Sequence, residues 1–192
     1  MNLQTIVPNQ IFTIASFFSV EECARYIEMS ENAGYEEAAV GTRFGQEMRK
    51  DIRNNERLIL DDENLAEELW QRLAPFAPSP LWKRDAIGLN ERLRFYRYDA
   101  GQTFKPHQDG SVKRPNGEKS QVTFMVYLNQ DFKGGATRFF LREPHGEIDI
   151  VPQTGMALLF LHTLQHEGAA VESGRKYVLR SDIMYNALPE IS

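Results

Sequence analysis

The chain has 192 residues, a formal net charge of -5, 42% hydrophobic and 26% charged residues, and one cysteine. That length buries a core without disulfides or a structural metal, and the composition is that of a folded globular chain, which excludes disorder. The acidic balance argues against a general phosphate-reading surface and no window is apolar for long enough to span a bilayer, so neither nucleic acid nor membrane is expected as a partner.

Cys23 cannot form an internal disulfide, and the first residues lack the charged segment and apolar core of a secretory leader. A cytoplasmic setting is the expectation. Cys23 itself falls within a helical pattern and reads as a small buried apolar side chain.

In chain order, Ile11 to Phe18 reads as a short strand. Ser19-Val-Glu-Glu22 then has the form of a capping box, and Cys23, Tyr26, Ile27 and Met29 give the helix an apolar face that Gly34 ends. The polar stretch from Tyr35 to Asn54 reads as irregular or as a twisted strand pair, a candidate lid. Asp61 to Leu73 is a second helix, capped by Asp61 or Asp62, with Leu65, Leu69, Trp70 and Leu73 on its buried stripe. Pro75, Pro78 and Pro80 then end helix formation and mark the largest change of character in the chain.

After them come short apolar or alternating runs: Leu89 to Tyr98, Gln121 to Leu128, Ala136 to Arg142, Glu147 to Val151, Ala157 to His162 and Tyr177 to Tyr185. Short, evenly spaced strands predict a sandwich or barrel, with the two N-terminal helices packed outside. The expected organisation is a single domain, 1–192, in which 1–81 supplies helical and strand support and 82–187 forms the β core.

The chemistry concentrates in Tyr98 to Gly110. Alternate residues of an extended chain project to one side, so His107 and Asp109 at a strand end aim an imidazole and a carboxylate at one point. These are two ligands of a facial metal site, which needs a third, usually a histidine. Three histidines remain. His145 lies in the turn Glu143-Pro-His-Gly146 and reads as solvated. His162 and His166 stand four apart, the spacing of a helical zinc pair. Met156 to Leu161, however, is an apolar strand-like run, and neither histidine is followed by glutamate in the zincin arrangement. His162 therefore reads as a packed strand-end residue, and His166 as one that could reach a site across a barrel. In the last run Lys176, Val178 and Arg180 share one face, whereas Arg175 and Tyr177 share the other. Such a basic pair also suits a solvated strand edge.

These pieces converge on a family. Arg97-Tyr98, Gly101 and Phe104 leading to His107-x-Asp109, then Thr123 to Asn129, Gly134-Gly135-Ala-Thr137-Arg-Phe139, Gly155 with Ala157 to Phe160, and His166-Glu-Gly168 with Gly174-Arg-Lys176-Tyr177 resemble the prolyl 4-hydroxylase-like Fe(II)/2-oxoglutarate-dependent dioxygenases. The resemblance implies a mainly β fold, a double-stranded β-helix of the jelly-roll or cupin kind. It implies that His107, Asp109 and His166 ligate Fe(II), and that Lys176, ten residues after His166, pairs with the distal carboxylate of 2-oxoglutarate. It also places Tyr98, Tyr127 and Thr137 around that cosubstrate. The implied reaction consumes O2 and hydroxylates an unactivated C–H, releasing succinate and CO2, with ascorbate as a reductant.

Arg94 and Tyr96 share the inward parity of Tyr98 and, with Arg180, are the candidates for the substrate face. Peptidyl proline is the first expectation for substrate, a small molecule or free amino acid the second, and a catalytically inactive β-helix binding module the third. Ser111 to Lys119, a basic loop beside the metal triplet, is a second candidate lid. The chain is expected to act as a monomer or homodimer.

Overall fold

The computed structural model describes residues 1–42 and 45–188. Its first element is a hairpin that the sequence reading saw only in part: β1 (Asn2–Val7) pairs antiparallel with β2 (Ile11–Ala15). β1 is exposed along most of its length, so it carries little apolar alternation to betray it. The Ser19 hydroxyl accepts a hydrogen bond from the Glu22 backbone N–H (3.1 Å), and the Glu22 carboxylate accepts one from the Ser19 N–H (2.8 Å). This capping box starts α1 (Val20–Ala33), which Gly34 ends at a φ of 87°.

Short strands follow: β3 (Glu36–Glu37), β4 (Val40–Thr42) and β5 (Gly45–Glu47), with β4 and β5 forming an antiparallel pair. Of the two options for this stretch, the twisted strand pair is present. The next strand, β6 (Glu56–Asp61), was missed because Glu56, Arg57 and Asp61 interrupt its apolar residues. Pairing supplies what its pattern lacks, since Leu58 lies opposite Phe95. Asp62, not Asp61, caps α2 (Glu63–Leu73), which buries Ala66, Leu69 and Leu73. Leu65 and Trp70 pack partly buried beside them.

The remaining chain is β7 (Ala86–Leu89), β8 (Arg92–Asp99), β9 (Phe104–His107), β10 (Lys119–Tyr127), β11 (Lys133–Gly134), β12 (Thr137–Phe140), β13 (Glu147–Ile150), β14 (Ala157–Leu161), β15 (Gln165–Gly168), β16 (Val171–Ser173) and β17 (Arg175–Tyr185). The run read as Leu89 to Tyr98 is two strands, broken at Asn90, whose N–H donates to the Asp182 carbonyl.

The larger sheet runs β1-β2-β14-β10-β17-β8-β6-β3, with β7 also on β17; a smaller one runs β13-β12-β15-β9. Strands from both sides of the proline-rich stretch thus share one sheet. Period-two alternation divides its side chains between two cores. Leu93, Phe95, Phe124, Val126, Leu159, Leu179 and Ile183 face Cys23, Leu69 and Leu73 of the helices. Tyr96, Tyr98, Met125, Tyr127, Leu158, Phe160 and Val178 point the other way, towards Phe139 and Ile150 of the smaller sheet. Each fully buried Leu or Phe contributes roughly 2 kcal/mol of apolar burial. The result is a mainly β, jelly-roll-like core with both helices outside, as expected, and the functional cleft lies between the two sheets.

Gly155 joins the layers: at a φ of 77°, an added Cβ would sit 2.1 Å from the Phe18 carbonyl oxygen. Only glycine allows that approach. Among the described residues, no helix is long and apolar enough to cross a membrane.

Candidate active site

The register of the smaller sheet brings together histidines 59 positions apart in sequence: His107 on β9 pairs with His166 on β15, which in turn pairs with Phe139 on β12. Just past β9, the Asp109 N–H donates to the His162 carbonyl (3.2 Å). This turns the Asp109 carboxylate inward, with Oδ1 3.8 Å from His107 Nε2 and Oδ2 3.7 Å from His166 Nε2. The three ligand atoms lie within 4.8 Å of one another, the one such group of three metal-ligating side chains among the described residues.

This donor set fits a divalent metal, and the support around it gives the reason. His107 Nδ1 lies 2.8 Å from the Lys105 carbonyl and His166 Nδ1 lies 3.0 Å from the Leu164 carbonyl. A carbonyl only accepts, so each Nδ1 carries the proton and each Nε2 presents its lone pair to the centre. Burial, then the neighbouring His166, pushes His107 down to about 4; burial likewise lowers His166. Burial works against an ionised Asp109, yet Arg180 and the two histidines hold its carboxyl below the usual range. Two neutral imidazoles and one carboxylate with open positions beside them are the donors of the non-haem iron facial site.

The floor of the cleft is built by the larger sheet. Lys176 lies opposite Tyr98 across β17 and β8 and is 3% exposed. Its ammonium donates to the Gly135 carbonyl (2.6 Å) and stands 5.3 Å and 5.5 Å from the centroids of the Tyr98 and Tyr127 rings. No carboxylate answers it among the described residues, and burial lowers its pKa to about 7. Tyr127 Oη and Thr137 Oγ1 lie 2.7 Å apart, and burial pushes the Tyr98 hydroxyl up to about 12. A cavity of about 40 Å³ joins Lys176 to the His-Asp-His group, lined also by Tyr96, Tyr98, Thr123 and Thr137. Tyr127 stands just behind this lining, holding Thr137.

Tyr96 and Arg180 line the cleft as their parity predicts, but Arg94 does not. Its guanidinium turns onto Asp182 (3.2 Å), because β8 has passed the end of the cleft at that position. Asp182 is 1% exposed and also receives Arg180 (3.2 Å), with His162 Nε2 at 3.4 Å. His162 is therefore a packed strand-end residue, apart from the ligand group, and the helical zinc pair does not exist. His145 sits exposed in its turn.

Sequence reasoning missed three residues here. Thr123 donates to Asp109 Oδ2 (2.5 Å), Asp182 organises Arg94 and Arg180, and Arg53 stacks on Tyr96 and Phe104. Asp182 was legible, since it continues the face of Lys176 and Arg180. Arg53 was not, because nothing local ties it to β9. In the basic loop of Ser111 to Lys119, Arg114 pairs with Glu91 and with Glu118.

Comparison with known proteins agrees with this geometry. Residues 93–181 match the family model described as 2OG-Fe(II) oxygenase superfamily. Among curated proteins, prolyl 4-hydroxylase 1 of Arabidopsis thaliana is 23% identical over 137 residues, covering 68% of this chain and 46% of that protein. Probable prolyl 4-hydroxylase 10 of the same plant is 24% identical over 191 residues, covering 84% of this chain and 64% of its own. The chain thus spans less than two thirds of the length of these relatives. Among solved structures, a viral collagen prolyl hydroxylase from Paramecium bursaria Chlorella virus-1 superposes with a TM-score of 0.63 at 20% identity, covering 94% of this chain and 98% of that one. A Trichoplax adhaerens prolyl hydroxylase superposes with a TM-score of 0.70 at 16% identity, covering 92% and 84%. These superpositions establish a shared fold.

Proposed function

We propose that this chain, whose core is that of a prolyl-hydroxylase-like 2OG-Fe(II) oxygenase, hydroxylates an unactivated C–H, with peptidyl proline as the first candidate substrate. The observation that carries the reading is the joint presence, in one cleft, of a facial His107-Asp109-His166 group and a buried ammonium at Lys176 that has no carboxylate partner among the described residues.

Fe(II), bound by these three side chains together with 2-oxoglutarate and O2, would supply the oxidation that yields succinate, CO2 and a hydroxylated carbon. The chain's own work is positional. Lys105 and Leu164 carbonyls hold the imidazoles in the ligating tautomer, while Thr123 and Arg180 fix the two oxygens of Asp109. Lys176 meets the distal carboxylate of 2-oxoglutarate with a charge-assisted bond, and its depth between Tyr98 and Tyr127 selects a diacid of matching length. Tyr98, Phe160 and Val178 keep that end of the cleft dry.

Prolyl peptides are favoured by two relatives: the Chlorella virus protein is described as a collagen prolyl hydroxylase, and the Trichoplax protein is bound to a fragment of hypoxia inducible factor. The test is Fe(II)-dependent succinate formation from 2-oxoglutarate with and without prolyl peptides. Stimulation by a peptide, with a mass gain of one oxygen on proline, supports the reading. Loss of the reaction in neither Asp109→Ala nor His107→Ala would overturn it.

A further inference from the structure

Asn129 closes the Thr123 to Asn129 block, yet it lies outside the lining of the cleft. Its side chain serves the strand that carries Lys176. β10 ends at Tyr127, opposite Val178, and one more backbone bond, from the Leu128 N–H to the Tyr177 carbonyl (3.0 Å), continues the ladder towards Lys176. There the Asn129 amide replaces the backbone. Its Oδ1 accepts from the Tyr177 N–H (2.8 Å) and its Nδ2 donates to the Arg175 carbonyl (2.7 Å), so one side chain binds the main chain on both sides of Lys176. A carboxamide offers the donor and the acceptor of a peptide group, which suits it to extend a ladder. Nδ2 also donates to Asp131 Oδ1 (2.6 Å), and because a carboxylate only accepts, that contact fixes which way the amide faces.

The same loop returns to the other end of the lysine. Phe132 packs onto Gly174, where an added Cβ would lie 2.9 Å from Phe132 Cβ and 3.0 Å from the Asp131 carbonyl oxygen. Gly135 then donates its N–H to the Ala170 carbonyl (2.8 Å) and accepts the Lys176 ammonium on its own carbonyl (2.6 Å). A lysine stem has four carbons and many rotamers, so its charge is placed accurately only when backbone and head are both held. The loop from Asn129 to Gly135 holds both.

We propose that Asn129 is a positioning residue that sets the distance between the Lys176 ammonium and the His107-Asp109-His166 group, and with it the length of 2-oxo diacid that the cleft accepts. The inference rests on the hydroxylase reading above, in which Lys176 receives the distal carboxylate, and names the residue through which length selection acts. Without the Asn129 amide, the start of β17 beside Lys176 is held laterally by β8 alone, where Arg175 and Lys176 lie opposite Asp99 and Tyr98. The ammonium then shifts with its strand, and a diacid of one fixed length loses its advantage.

The test uses the full chain loaded with Mn(II), titrated by calorimetry with 2-oxoglutarate and with 2-oxoadipate, which is longer by one methylene. Wild type should bind 2-oxoglutarate at least tenfold more tightly. Asn129→Ala should weaken 2-oxoglutarate binding about tenfold, the scale of two lost hydrogen bonds, and bring its preference over 2-oxoadipate within about threefold. Mn(II) affinity by electron paramagnetic resonance should stay within twofold. Asn129→Asp keeps the acceptor for the Tyr177 N–H and loses the donor to Arg175; it should move both readings the same way, and it carries the test if Asn129→Ala does not fold. Gln130 belongs to the same loop but accepts from the Thr154 N–H (2.8 Å), so Gln130→Ala should leave every affinity within twofold. A length preference that survives the Asn129 variants, an equal loss of Mn(II) and 2-oxoglutarate affinity, or the same effect from Gln130→Ala would overturn the proposal. Lys176→Met separates the readings: if it binds 2-oxoglutarate as tightly as wild type, the role of Lys176 falls and this proposal with it, whereas weakened binding there with unchanged Asn129 variants removes the positioning role alone.

Discussion

Arg180 Nη2 lies 3.0 Å from Asp109 Oδ1, so a buried guanidinium fixes one oxygen of the carboxylate whose other oxygen Thr123 holds. The same guanidinium reaches Asp182 (3.2 Å), making Arg180 the link between two buried acids. Arg180→Met should leave Asp182 with Arg94 as its remaining arginine and free Asp109 to rotate. We expect about 3 kcal/mol of lost stability by urea unfolding, because an uncompensated charge stays buried. Mn(II) affinity should fall on the order of tenfold, as for loss of a ligand's hydrogen-bonding support. Unchanged affinity would show that Thr123 alone orients the carboxylate.

The proposed pairing of Lys176 with 2-oxoglutarate predicts a pH dependence. Burial, with no carboxylate beside the lysine among the described residues, lowers its pKa to about 7 in the folded chain. Below that pH the ammonium already exists and 2-oxoglutarate affinity is flat; above it, binding must first take up a proton. Affinity should fall about tenfold per pH unit above about 7, with proton uptake seen by calorimetry in buffers of different ionisation enthalpy. Stability runs the other way. The unfolded lysine binds a proton up to its ordinary value near 10.5, so this group makes stability rise with pH between about 7 and 10.5. Lys176→Met should abolish both slopes.

His162 and His166 separate by function. His166→Ala should abolish Mn(II) binding measured by electron paramagnetic resonance. His162→Ala should retain it within a few-fold while losing on the order of 2 kcal/mol of stability, the cost of a cavity beside Asp182. Loss of metal in both would restore a direct role for His162.

Gly135 should tolerate no side chain. At a φ of 66°, an added Cβ would lie 2.9 Å from the Phe132 ring and 3.3 Å from Lys176 Cδ. Its carbonyl also holds the Lys176 ammonium. Gly135→Ala should cost about 1–2 kcal/mol through backbone strain and weaken 2-oxoglutarate binding more than it weakens Mn(II) binding. Equal weakening of both would point to general unfolding of the cleft.

Much of the cleft was legible because it obeys local rules. The His-x-Asp spacing and the shared face of Lys176, Val178 and Arg180 follow from strand periodicity, and the Ser19 capping box follows from a four-residue pattern. Arg94 shows where parity stops being enough: it faces the same side as Tyr96, but only the position of the cleft along β8 decides that one lines it and the other pairs with Asp182. β1 and β6 escaped because an exposed or charge-interrupted strand owes its existence to its partners.

The sequence by itself determined the alternation that sorts the β8, β10 and β17 side chains into two cores, the Ser19 cap of the first helix, and the presence of two histidines, an aspartate and a lysine in motif order. Only the tertiary structure decided that His107 and His166 share a register, that Asp182 ties Arg180 to Arg94, and that Arg53 lies over the ring stacked on His107. The physical reason is range. Periodicity and capping act within a few residues, whereas register and buried charge pairing depend on which distant strands the sheet sets side by side.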